Sequence, residues 1–126
     1  QSKKPYSSFL GKKHNSKYNH VSIALNDERN NIHNLINDRV DLMLKNGLLD
    51  EVKQLHKYSH LNTLNTVGYK ELFNYLDGKV SKVDAVEHIK RNTRRFAKKQ
   101  ITWLNNNGKH HWFNPNDSFD DIKGVL

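Results

Sequence analysis

One long amphipathic segment constrains the fold more than any other feature of the chain. It opens at Ser81, which with Asp84 three residues on resembles a capping box, and it reaches about Asn106 before Gly108. At 100° per residue, Val86, Ile89, Thr93, Phe96, Ala97, Gln100, Ile101 and Leu104 fall on one side of this helix. Arg91, Arg94, Arg95, Lys98 and Lys99 fall on the other. A helix with one apolar side needs other elements to cover it, and the sequence offers three more helices. Ile32, Leu35, Ile36, Val40, Met43 and Leu44 recur at three- and four-residue spacing and predict a helix from about Glu28 to Asn46, with Gly47 as its left-handed cap. Leu48, Leu49, Val52 and Leu55 predict a shorter one to about Lys57, and Val67 to Leu76 a third, stopped by Asp77-Gly78.

Two short strands complete the pattern. Val21 to Leu25 is a β-branched and apolar run followed by Asn26-Asp27, a candidate helix N-cap. His111 to Asn114 is a second, ended by Pro115, after which Asp117 or Ser118 can cap a last short helix. Residues 1–20, rich in Lys, Ser, Asn and Tyr with Pro5 and Gly11, lack periodicity and read as a loop or displaced tail. The expected fold is a predominantly helical α/β fragment of four main helices and two short strands.

Composition then limits the chemistry. The 126 residues suit one small domain or part of a larger one, and with 35% hydrophobic residues and a mean hydropathy of −0.90 the core must be thin. Without Cys there is no disulfide framework, thiolate metal site or Cys nucleophile, which favours a cytoplasmic protein. No run of about 18 apolar residues could span a membrane, and no signal peptide is recognisable. Lys and Arg number 21 against 13 Asp and Glu, a net charge of +8, and the pI is near 9.7, so the partners are polyanions.

The helix from Ser81 carries the sharpest signal. Between Lys90 and Lys99 stand six basic residues and no acid. A balanced Lys/Glu surface would read as a solvated face, but a one-signed stripe costs self-repulsion and suits a phosphate backbone, where Arg forks pair with phosphate oxygens. Trp103, beside Lys99 at the stripe's edge, could stack on an unpaired base or be a partly buried core residue. Arg39 is the second odd residue, because Ile32, Leu35, Ile36 and Met43 place it on an apparently core-facing stripe. Such a guanidinium needs a partner: either a carboxylate, for instance Glu51, or a diphosphate held by both arms of the fork. Third, Thr63 to Glu71 holds a Gly where a helix opens, and free amides there could take a phosphate; a plain Gly-containing turn with Tyr69 in the core is the alternative. His56 and His60 have helical ligand spacing but no companion ligands, and no GxxxxGK[ST], GxGxxG or GxSxG occurs. Neither a metal site nor a complete catalytic set is expected in the chain.

Three ordered motifs join these pieces: R-x2-I-x3-I-x2-RVDLML-x2-GLLDEV from Arg29 to Val52, then TVGYKEL-x2-YLDG, then TRRFAKKQITW. Together they resemble the C-terminal part of the tRNA dimethylallyltransferase (tRNA isopentenyltransferase) family, and the KKPYSSF opening resembles the segment that ends that family's helical insertion domain. The resemblance implies that residues 1–20 close the inserted domain and 21–126 form the C-terminal part of a P-loop-like, ATP-binding-type core whose parallel sheet the two strands would join. It also implies the family's chemistry: transfer of a dimethylallyl group from dimethylallyl diphosphate to the exocyclic amine of the adenosine 3′ of the tRNA anticodon, assisted by Mg²⁺. The partners implied are the anticodon stem-loop and dimethylallyl diphosphate, with the protein a monomer.

Carried over by position, Arg39 matches the family's diphosphate-binding Arg. Asn65, Thr66, Val67, Gly68, Tyr69 and Lys70 match one tRNA-contacting segment, and Lys98, Lys99, Gln100, Ile101, Thr102, Trp103, Leu104 and Asn105 another. Two positions depart from the family: Lys98-Lys99 replaces a Lys-Arg pair, and Asn105 replaces a basic residue. The family's P-loop, catalytic Asp and Thr or Ser have no counterpart in these 126 residues, so the isolated chain is expected to be inactive. A non-catalytic RNA-binding module is the alternative, and a helical protein-interaction domain the third possibility.

Overall fold

The computed structural model describes residues 19–125, so the tail and the insertion-domain end expected in residues 1–20 lie almost wholly outside the described residues. Strand β1 (Ile23–Leu25) leads into α1 (Arg29–Lys45), α2 (Leu48–Leu55), α3 (Tyr69–Leu76) and the long α4 (Lys82–Asn106), and then into β2 (His111–Phe113) and the short α5 (Phe119–Lys123). Helical structure dominates, as the sequence predicts, and the two strands pair with each other in parallel, the strand direction that the family resemblance implies. The register sets Ile23 opposite His111 and Leu25 opposite Phe113. Parallel strands need a crossover, and here α1 to α4 supply it.

Local chemistry accounts for most of the boundaries. Gly47 takes φ +99°, a value L side chains rarely adopt, and so lets α1 turn directly into α2. Ser81 Oγ accepts from the Asp84 N–H at 3.1 Å to open α4. Of the two residues offered as the cap of α5, it is Ser118 that makes the capping box with Asp121, while Asp117 accepts from the Asn114 N–H. The N-cap of α1 is Glu28 rather than the expected Asn26-Asp27, and Asp27 acts one residue ahead of that cap. Its Oδ1 accepts from the Glu28 N–H at 2.6 Å and from Asn31 and Asn114 at 3.1 Å, which ties the end of β2 to the head of α1. Beyond Leu55 the second helix tightens into a 3₁₀ turn over His56–Tyr58.

The core is small. Val40, Leu48, Val52, Leu72, Phe73, Ala85 and Ile89 are buried together, drawn from α1 to α4. From α4 only Ala85 and Ile89 take part. Two polar ties fasten α4 to α1 beside this core: Lys90 pairs with Asp41 at 2.8 Å, and Arg94 donates to Asn37 Oδ1 at 2.7 Å.

Candidate nucleic-acid interface

Past Lys90 the long helix diverges from the core and opens a cleft against the head of α1. Arg91, Arg94, Arg95 and Lys98 line it from α4, with Arg29 and His33 from α1, over an apolar floor of Ile32, Ala97 and Ile101; its volume is about 550 Å³. Positions 91, 94, 95, 98 and 102 follow the three- and four-residue spacing of one helix face, which is why a single stripe of sequence becomes one wall. Among the described residues the ion pairs are Lys53–Asp50, His56–Asp77, Lys79–Asp77 and Lys90–Asp41. None involves a cation of the cleft. Its one lining carboxylate, Asp27, is held below the ordinary carboxylate range by the Glu28 N–H first and by Asn31 next, so it stays ionised but with its oxygen already engaged.

The segment Lys98 to Asn105 divides between two flanks. Lys98 and Thr102 face the cleft, whereas Lys99 and Trp103 lie on the other flank, exposed with Gln100 and Asn105; Ile101 and Leu104 are half-buried. Trp103 is 60% exposed, which leaves its indole free for stacking and removes the core reading. Phe96 corrects the helical-wheel expectation: placed on the core side by its spacing, it is 58% exposed, as Gln100 is also exposed. Full burial along α4 stops at Ile89, so a side chain two turns later on the same face is left uncovered.

The Asn65–Lys70 segment forms the turn into α3, which begins at Tyr69 rather than Val67. Asn65, Thr66, Val67 and Lys70 are exposed. Gly68 is buried with φ +103°, a backbone state that explains the glycine. Tyr69 packs its ring against the core and its hydroxyl donates to Glu51, a bond that raises the phenol above its ordinary value. Glu71, given no role by sequence reasoning, is the buried charged residue of the described chain. Its Oε2 accepts from the Gly68 N–H at 2.8 Å and its Oε1 from Asn92 Nδ2 on α4 at 2.7 Å. A Glu three residues after a helix-opening Gly is the signal that could have found it.

Arg39 requires a correction as well. It is exposed, not core-facing, and Glu51 is engaged by Tyr69, so the proposed internal ion pair is not made. The stripe that seemed to face inward is itself open, with Leu35 62% exposed. What packs from α1 is Val40 and Leu44, with Asn37 and Asp41 bonded to α4. Arg39 does not line the cleft, so the structure keeps it apart from the cationic wall. His56, paired by spacing with His60, instead bonds Asp77 at 2.7 Å; Lys79 and then His56 lower the Asp77 carboxyl.

A family model described as IPP transferase matches residues 1–107. The tRNA dimethylallyltransferase of Christiangramia forsetii is 45% identical over 98% of this chain and 42% of its own length, and tRNA dimethylallyltransferase 2 of Azobacteroides pseudotrichonymphae is 47% identical over 90% of this chain and 38% of its own. In the solved structure of the full-length tRNA isopentenylpyrophosphate transferase from Bacillus halodurans, the same arrangement recurs with a TM-score of 0.78 and 40% identity, covering 88% of this chain and 38% of that one. The chain thus spans about two fifths of the length of these relatives. With a family model matching most of the chain, relatives 45% and 47% identical over at least 90% of it, and a solved structure of the same arrangement, the chain belongs to the IPP transferase family.

Proposed function

We propose that this chain supplies the RNA-binding face, and one wall of the diphosphate site, of an enzyme that moves a dimethylallyl group from dimethylallyl diphosphate onto the exocyclic amine of the adenosine 3′ of the tRNA anticodon. The observation that carries the reading is the cleft wall of Arg91, Arg94, Arg95 and Lys98, which has no ion-pair partner among the described residues. Arg forks of this kind pair with phosphate oxygens, and the exposed Trp103 offers a ring to a base removed from its stack. Chemistry on a stacked base requires that the base be flipped out, so a surface that grips backbone while stacking a base suits the task.

In the reaction the amine nitrogen forms a bond to the allylic carbon, the carbon–oxygen bond breaks, diphosphate leaves with the electron pair, and a base takes the amine proton. Arg39, exposed and without an ion pair among the described residues, can turn its fork to the departing diphosphate and offset the charge that develops there. The family's Mg²⁺ would assist the same departure. Among the described residues there is no group of three or more His, Cys, Asp or Glu side chains that could hold a metal ion by themselves. No described helix is long and apolar enough to cross a membrane. We infer a monomeric enzyme of the cytoplasm, where tRNA is its substrate.

The test is a salt titration of binding to a labelled anticodon stem-loop, comparing the chain with a variant carrying Arg91→Gln, Arg95→Gln and Lys98→Gln. Each lost contact to single-stranded RNA flattens the log–log slope by about 0.7, so the triple variant should lose about 2. An unchanged slope would mean that the wall is merely solvated and would overturn the proposal.

A further inference from the structure

Glu71 sits where an anion is least expected, behind a surface proposed to bind a polyanion. It is only 6% exposed, and a buried carboxylate persists only when its oxygens are satisfied by donors. Both are. One oxygen holds the Gly68 N–H and so the turn Asn65–Lys70; the other holds Asn92, the residue next to Arg91 on α4. The turn and the cationic half of α4 are separate in sequence; Leu64 and Tyr69 seat the turn on the apolar core, while the Glu71 bonds tie its Gly68 backbone directly to Asn92 of α4.

We propose that Glu71 is a positioning residue: by bonding Gly68 and Asn92 at once, it holds the exposed Asn65, Thr66 and Lys70 in fixed register with the α4 cations, so that RNA meets one preformed surface. The inference rests on the RNA-binding reading above and deepens it. Preformed geometry raises affinity because the ordering of the turn is not charged against binding. The carboxylate itself would repel phosphate, and that opposition gives a test in which positioning and electrostatics predict opposite signs.

Binding of a fluorescein-labelled anticodon stem-loop is measured by anisotropy for the full chain and its variants, each well below its own melting temperature. Glu71→Gln keeps both contacts, because the amide oxygen accepts from Gly68 and the amide nitrogen donates to the Asn92 carbonyl once Asn92 turns over. Its affinity should stay within about twofold of the parent, since one bond only changes from charged to neutral. Glu71→Ala loses both contacts, and its affinity should fall roughly tenfold, the equivalent of one charge-assisted hydrogen bond, with the salt slope unchanged because no cation is removed. Gly68→Ala offers an independent route that retains every charge. No atom lies within 4 Å of the added methyl, but the φ of +103° is strained for Ala, so the turn must move and affinity should fall as well.

If Glu71→Ala and Gly68→Ala lower the melting temperature but bind RNA as the parent does, Glu71 is architecture and the proposal is overturned. Tighter binding by both Glu71 variants would overturn it too, since charge repulsion would then be the whole effect. Should Glu71→Ala not fold, Gly68→Ala with Glu71→Gln decides the matter by the same criteria. Failure of the parent chain to bind the stem-loop would be a different result, overturning the RNA-binding reading itself.

Discussion

The two halves of α4 share one helical period but not one purpose. From Lys82 to Lys90 the helix is capped by Ser81, balances two Lys with an Asp and a Glu, buries Ala85 and Ile89, and ends in the Lys90–Asp41 pair. From Arg91 to Asn106 it carries five Lys and Arg and no acid, buries no residue completely, and exposes Phe96 and Trp103. The first half satisfies itself within the fold. The second leaves its cations without an ion pair among the described residues, Arg94 bonding the neutral Asn37, and its aromatics exposed, along about 24 Å of helix, at 1.5 Å per residue for 16 residues. Continuous amphipathicity therefore describes where a helix could be covered, and charge balance describes whether the chain's own residues do the covering.

Truncation of apolar side chains is the strongest way to break this contrast. Ile89→Ala, in the buried half, should cost about 2–5 kcal/mol of unfolding free energy in urea, while Phe96→Ala should stay within about 0.5 kcal/mol. Equal losses would make the second half architecture. A smaller effect locates the boundary between the halves. Lys90, whose side chain is 15% exposed, pairs with Asp41 at 57%, and Lys90→Ala should remove about 0.2–1 kcal/mol of stability while leaving stem-loop affinity intact. A large fall in RNA affinity would move the interface back by one turn.

The smallest effect concerns the wall opposite the cations. Because the folded state lowers the Asp27 carboxyl from its ordinary 3.8, the stabilisation it gives to the head of α1 is complete above that value and is lost as the pH falls through the lowered one. Acid titration of unfolding stability from neutrality to about pH 3 should thus show a loss that is absent in Asp27→Asn. Identical profiles would show that the bond network of Asp27 has no energetic part in shaping the cleft.

Much of this was legible from spacing and turn chemistry. The order of strands and helices, the Gly47 reversal and the Ser81 cap follow from local rules that act within four residues, and the cationic wall follows from the one-signed run between Lys90 and Lys99. What was not legible is which apolar stripe finds a neighbour. Arg39 and Leu35 share a stripe of impeccable period, yet α4 packs against the Val40 and Leu44 side of α1. Phe96 fails for the same reason, two turns beyond Ile89, where full burial along α4 stops. Glu71 was hidden differently: its partner Asn92 lies 21 residues away, and no local pattern announces a bond between a turn and a distant helix.

The pairing of β1 with β2 has a consequence for the order in which the molecule assembles. Ser22 and His110, which bond at 2.7 Å beside the strands, are 88 residues apart, so the pairing closes nearly the whole described chain into a loop. Loop-closure entropy grows only as the logarithm of length, about 0.6 kcal/mol per doubling, yet it must be met before any contact made by closure can repay it. Three-residue strands repay little by themselves. The four helices, whose connections are all far shorter than the loop the strands close, can instead collapse on one another early and bring the two strands within reach. The sheet is then a late clasp on an assembled helical body, the last element gained in folding and the first surrendered in unfolding.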